Sequence, residues 1–286
     1  MEKTEITTRE KLKTYFETGK YPTEGQFAEL IDFLRLKEDV PSNKEMVTLF
    51  NNLASLENGY ITYYNTSKDL KFLIIITSKD EEDQMITIDN LNNRAEKKYF
   101  YGNAPYSIKV KEFPSEGLEE NEYYYLNSQV DDTFGINRLF GNNLPGIPEG
   151  FDLGTVEDKK FSIQLSKQNF GDKINVVNTS FKLVNKTEIS IQYALYANYW
   201  SRFYTSEDSI TNHYDLWDTV VCMYKADLTE INKAIECRIY DADNDTLLMT
   251  ASLVPGQKNS NVSAGGVLSG VRNARIECDY ESQANK

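Results

Sequence analysis

Asp241, Asp243 and Asp245 form a D-x-D-x-D run, an alternation that lets carboxylates converge on a hard cation such as calcium. The rest of a calcium loop is missing. Thr246 stands where glycine must turn the chain, and Ser252 stands where a bidentate Glu is needed. Because DADND lies between two strand-like runs, it reads as a hairpin turn whose Asp and Asn side chains accept backbone hydrogen bonds. His213 is the chain's single histidine, in TNHYD near Asp208, Ser209 and Asp215. One histidine excludes a histidine-rich metal site, and without a G-x-S-x-G elbow the nearby serines do not define a Ser-His-Asp system. Cys222, Cys237 and Cys278 are odd in number and lack C-x-x-C spacing, so buried reduced thiols are expected rather than a disulfide framework or a zinc site. No metal and no cofactor is expected.

A glycosidase needs only two facing carboxylates. The chain has 44 Asp plus Glu, but they concentrate in runs such as Lys79–Gln84 and Glu116–Glu122 that read as solvated surface. Aromatic clusters remain. In Tyr123-Tyr124-Tyr125 only the first and third can share a strand face. Tyr199, Trp200, Phe203 and Tyr204, in what reads as a loop, are the better candidates for a platform on which sugar rings stack. The expectation is a protein that is not an enzyme. A glycan-binding module is the alternative, and a polysaccharide depolymerase a further one.

The elements that must carry these residues fall into two kinds. Thr7 with Glu10, Thr23 with Gln26 and Ser42 with Glu45 have the spacing of capping boxes, while Gly19, Pro22, Pro41 and Asn58-Gly59 supply stops and starts. Three short helices are expected within residues 1–58. Phe27, Leu30, Ile31 and Leu34 form one apolar stripe; Met46, Leu49, Phe50, Leu53 and Leu56 form another. Such stripes need cover, either from the following β-domain or from other copies of the chain along an a/d-like seam.

From Tyr60 the pattern turns to β runs: 60–64, 71–77, 85–88, 98–102, 107–110 and 122–126. Residues 131–158, rich in Gly and Pro, read as a crossover. Eight more runs follow, at 160–166, 174–177, 180–184, 190–197, 219–226, 234–241, 246–254 and 274–280. The fold expected is mainly β with a small N-terminal α-helical segment, an antiparallel β-domain over 59–155 and a jelly-roll-like β-sandwich over 156–286. The net charge of −13 and the absence of a basic patch argue against nucleic acid. The charged N-terminus and short apolar runs argue against a signal peptide or membrane span, and so for assembly in a cytoplasm.

Residues 15–34 and 37–53 resemble the N-terminal segment of appendage and fibre proteins in phages and prophages of gut Bacteroidetes, including crAss-like phages. The likeness lies in Phe16, Thr18, Gly19, Pro22, Thr23, Gln26, Phe27, Glu29, Leu30, Ile31 and Asp32, followed by the E-D-x-P step at Glu38-Asp39-Val40-Pro41. It departs at Leu36-Lys37, where related sequences often have His-Lys. The resemblance implies an attachment module, a virion location with assembly in the host bacterial cytoplasm, other capsid or tail proteins as partners, and a homo-oligomer, a trimer. It implies no catalytic residues. The anchor and oligomer interface would comprise Phe16, Phe27, Leu30, Ile31, Leu34, Met46, Leu49, Phe50 and Leu53.

Overall fold

A computed structural model of the chain describes residues 9–34, 40–53, 59–65, 70–79, 81–89, 95–130, 134–158, 160–208, 210–212 and 217–281. His213, Leu36-Lys37, Leu56 and the Thr7 cap lie outside them. The chain forms two compact units, residues 1–48 and 49–286.

In the first unit α1 is Arg9–Tyr15 and α2 is Glu24–Phe33; α3, Asn43–Leu53, has residues on both sides of the division. Two of the three expected caps are formed among the described residues. Thr23 Oγ1 accepts the Gln26 amide while Gln26 Oε1 accepts that of Thr23, and Ser42 with Glu45 repeats the exchange. Gly19 adopts φ +86°, the left-handed conformation expected of it.

In the second unit the strands are β1 Tyr60–Asn65, β2 Phe72–Thr77, β3 Gln84–Ile88, β4 Ala95–Tyr99, β5 Tyr106–Glu112, β6 Glu122–Val130, β7 Ile136–Phe140, β8 Asp152–Val156 and β9 Phe161–Asn169. They continue as β10 Ser180–Asn185, β11 Gln192–Ala197, β12 Trp200–Tyr204, β13 Ile210–Asn212, β14 Thr219–Asp227, β15 Ile235–Asp241, β16 Thr246–Leu253, β17 Lys258–Ser263, β18 Leu268–Ser269 and β19 Asn273–Tyr280.

The longest sheet has the order β17-β14-β11-β12-β7-β6-β9-β1-β4, with β18 also paired to β14. Two smaller sheets are β3-β2-β5-β8 and β13-β10-β19-β15-β16. Each smaller sheet shares a core with part of the long one. Ile74, Ile76, Ile108 and Val110 pack with Ile61, Phe161 and Ile163 in one core; Phe181, Ile239, Cys237 and Ile276 pack with Leu195, Cys222 and Tyr224 in the other. β6 serves both. Tyr123 enters the second core and Tyr124 the first, as period-two alternation requires. The mainly β class with a small helical start is therefore what the chain adopts.

The expected division at 155/156 needs correction. β9 pairs in parallel with β1 and antiparallel with β6, so the long sheet is continuous across that point and residues 49–286 are one unit. The parallel pairs β1–β9 and β10–β19 also depart from an all-antiparallel jelly-roll order. The crossover 131–158 contains two strands, β7 and β8, and the aromatic segment read as a loop is β12. Conversely, 174–177 is not an extended strand. The Tyr123 hydroxyl accepts the Ile174 amide at 3.1 Å and Asn143 Nδ2 donates to the Ile174 carbonyl at 2.9 Å, so side chains satisfy the backbone of Ile174, and Val177 makes only a single bridge. Among the described residues no helix is long and apolar enough to cross a membrane.

Candidate functional site

Three places carry the residues singled out by sequence. The first is the helical unit. Leu12 of α1 is buried, but neither α2 nor α3 buries any residue fully. Phe27 is 47 % and Ile31 60 % exposed; Phe16, Leu34, Leu49 and Leu53 are exposed, and Leu30, Met46 and Phe50 are half-buried. Leu12, Phe16, Leu30, Phe33 and Leu34, with Lys13, line a groove of about 620 Å³. Phe16 meets Phe27 edge to face at 5.7 Å, and the Tyr15 hydroxyl donates to Glu29 at 2.6 Å. That hydroxyl, with Lys11 3.5 Å away, holds the Glu29 carboxyl below its ordinary value. Polar contacts thus fix α1 against α2 while the apolar stripe stays in water.

The second place is the aromatic segment, which the structure splits. Trp200 and Tyr204 are 2 % and 4 % exposed and belong to the second core, with the buried Arg138 guanidinium 4.7 Å from the Trp200 ring. Neither ring offers a face to a sugar, which corrects their candidacy. Tyr199 instead joins Tyr125, Phe170 and Trp217, with ring centroids 5.5, 5.3 and 6.2 Å from its own; Trp217 is 59 % exposed. Phe203 lines a separate cleft of about 420 Å³ with Ile136, Glu149, Phe151, Asp152 and Arg202. The cleft's loop is held by backbone bonds from Gly150 to Val110 and from Val110 to Phe151, at 2.8 and 2.9 Å. Asp152 accepts the Gly154 amide, and Glu149 pairs with Lys111. The cleft thus brings together two phenylalanine rings, a guanidinium and two carboxylates. Phe151 and Arg202 were missed in the sequence because the first lies in a Gly/Pro-rich stretch and the second inside an aromatic run.

The third place is the set of potential ligating or nucleophilic groups. DADND is the β15–β16 turn: Asp241 accepts from Asp243 N and Asn244 Nδ2, Asn244 accepts the Thr246 amide, and Asp245 has φ +60°. Asp245 also pairs with Arg275. Only the Asp241 carboxylate serves the turn itself; those of Asp243 and Asp245 accept from Asn273 and Arg275 of β19, and no group of three metal-ligating residues occurs among the described residues. Cys222, Cys237 and Cys278 are all buried and unbridged, with the sulfurs of Cys237 and Cys278 2.6 Å apart.

No protein-family model and no curated protein matches the chain. Among solved structures the chain aligns with a point mutant of the major pilin of Streptococcus pyogenes, and with the T-13 major pilin of the same species. Identity is 11 % in both cases, with 77 % of this chain and 97 % or 96 % of the pilin covered. The TM-scores, 0.20 and 0.16, are too low for either alignment to define a common fold.

Proposed function

We propose that the chain is a non-enzymatic structural protein of a bacteriophage particle, a head or tail fibre or appendage, whose N-terminal helices attach it to capsid or tail proteins and to copies of itself. The observation that carries this reading is the contrast in burial. The β-unit closes two apolar cores, whereas the helical unit leaves Phe27, Ile31 and Leu34 in water beside an apolar groove. A contiguous exposed stripe of that kind marks a surface that another protein covers. The resemblance of residues 15–34 to phage appendage segments supports the same assignment, and a trimer is the oligomer it implies. Neither nucleic acid nor membrane is part of this reading. Introducing Phe27→Asp and Ile31→Asp together in the full chain tests it. Loss of incorporation into particles with unchanged β-sheet circular dichroism is expected, and normal incorporation would overturn the anchoring role.

A second reading, host-glycan binding, is favoured by the cleft lined by Phe151, Phe203, Arg202 and Asp152, since aromatic rings and polar groups together suit a polyhydroxylated ring. Binding of the full chain to host surface glycans should be lost on Phe203→Ala. Wild-type binding by that variant would remove the cleft from consideration.

A further inference from the structure

Cys237 on β15 and Cys278 on β19 are direct register partners in an antiparallel pair. Such partners have Cα atoms roughly 4.5–5.5 Å apart, within the span a disulfide bridges. Both side chains are fully buried on the same face of their sheet, in the second core. Their sulfurs lie 2.6 Å apart, closer than two sulfurs sit in ordinary packing. Cys222 belongs to the same core but comes from the opposite sheet, where its register partner is Leu195.

We propose that Cys237 and Cys278 form a cross-strand disulfide in an oxidising medium, locking β19, the last described strand, into the five-stranded sheet. The bond closes by exchange with a small-molecule disulfide. The Cys278 thiolate attacks one sulfur of that disulfide and expels a small thiolate. Cys237 then attacks the Cys278 sulfur and expels the second. The two cysteine protons pass to the two released small thiols, and the small disulfide is the species reduced. The neighbouring Cys278 thiol, together with burial, holds the Cys237 thiol protonated well above its ordinary range. Because the thiolate is the reactive form, exchange is slow in the closed sandwich and fast while β15 and β19 are assembling. In a reducing medium the same residues are a dithiol buried between the sheets. The cross-link is therefore conditional on where the folded protein resides, and it does not depend on the function proposed above.

The bridge closes the chain segment from 237 to 278, which contains β15 to β19 except for the ends of the first and last. Removing that loop's freedom from the unfolded chain raises the melting temperature by roughly 5–10 °C. The full chain, refolded in mixed oxidised and reduced glutathione, then unfolded, alkylated and digested, provides the test. A peptide joined through Cys237 and Cys278 is expected, with Cys222 alkylated. Three alkylated cysteines, or a bridge that includes Cys222, would overturn the proposal. The gap in melting temperature between oxidised and reduced protein should survive Cys222→Ser and vanish in Cys278→Ser; the peptide map of the unmutated chain decides the matter even if the latter variant does not fold.

Discussion

At the scale of single residues, polar side chains close ends and edges that the sheets leave open. β4 is the last strand of the long sheet, and its final residue finds a side-chain partner: the Asn51 amide accepts from Tyr99 N at 2.7 Å and donates to Tyr99 O at 3.4 Å. Asn51→Ala removes both bonds from a partly buried edge and should cost about 1–2 kcal/mol, measured as a lowered urea midpoint. Glu277 of β19 is clamped between charges. Lys186 Nζ, 2.6 Å away, and then Arg275 hold its carboxyl below the usual carboxylate range. A carboxyl depressed in the folded state contributes stability that is present above its unfolded pKa of about 4.3 and lost as pH falls toward the folded value. The melting temperature of the unmutated protein should therefore drop more steeply below about pH 4.5 than that of Glu277→Gln, and parallel curves would contradict the role assigned to this pair. The Asp241–Asp245 turn and the Thr23 and Ser42 caps were legible in sequence, because their hydrogen bonds are local. Asn51 and Glu277 find partners 48 and 91 residues away, which no spacing rule reveals.

At the scale of elements, runs with alternation and short turns were readable. β1, β2, β5, β14, β15 and β19 lie where apolar periodicity puts them, because each buries every second side chain. The strands that escaped notice have weaker signals. In β12 Trp200 and Ser201 are both buried, breaking the alternation, and β17, Lys258–Ser263, is almost wholly polar, fixed by pairing with β14 rather than by its own pattern. β8 was masked by glycine. Gly154 has φ +126° and pairs with Ile108 where the β5–β8 register shifts, and a Cβ there would stand 2.9 Å from the Val130 side chain. A left-handed backbone and a close neighbour both demand glycine. Gly154→Ala should destabilise the β-unit by roughly 1–3 kcal/mol, seen as a lowered urea midpoint, whereas Gly171→Ala, with open space around it, tests the backbone strain without the clash.

At the scale of the whole molecule, the sequence suggested two β segments dividing at 155/156, but one sheet runs through both and each core draws on both: Phe161 and Ile163 lie in the first core, Tyr123 and Leu139 in the second. Parallel pairing of β9 with β1 joins strands about a hundred residues apart, and such distant pairing leaves no local trace. The candidate site divides in the same way: the helical stripes are local and were legible, whereas the Phe151–Phe203 cleft exists only because β7, β8 and β12 meet. The two units differ most in what they bury, and that difference has a dynamic consequence. Local opening is governed by buried apolar surface, so α1 and α2, which bury only Leu12, should exchange their amide hydrogens far faster than β14, β15 and β19 in a dilute monomeric chain. If copies of the chain cover the stripes, association adds burial to the helices alone. Hydrogen exchange followed by mass spectrometry over a hundredfold range of protein concentration should then show rising protection across residues 9–53 and constant protection in β14, β15 and β19. Helical protection that does not change with concentration, alongside a monomeric mass, would exclude self-association as what covers the stripes, because self-association obeys mass action in the chain's own concentration.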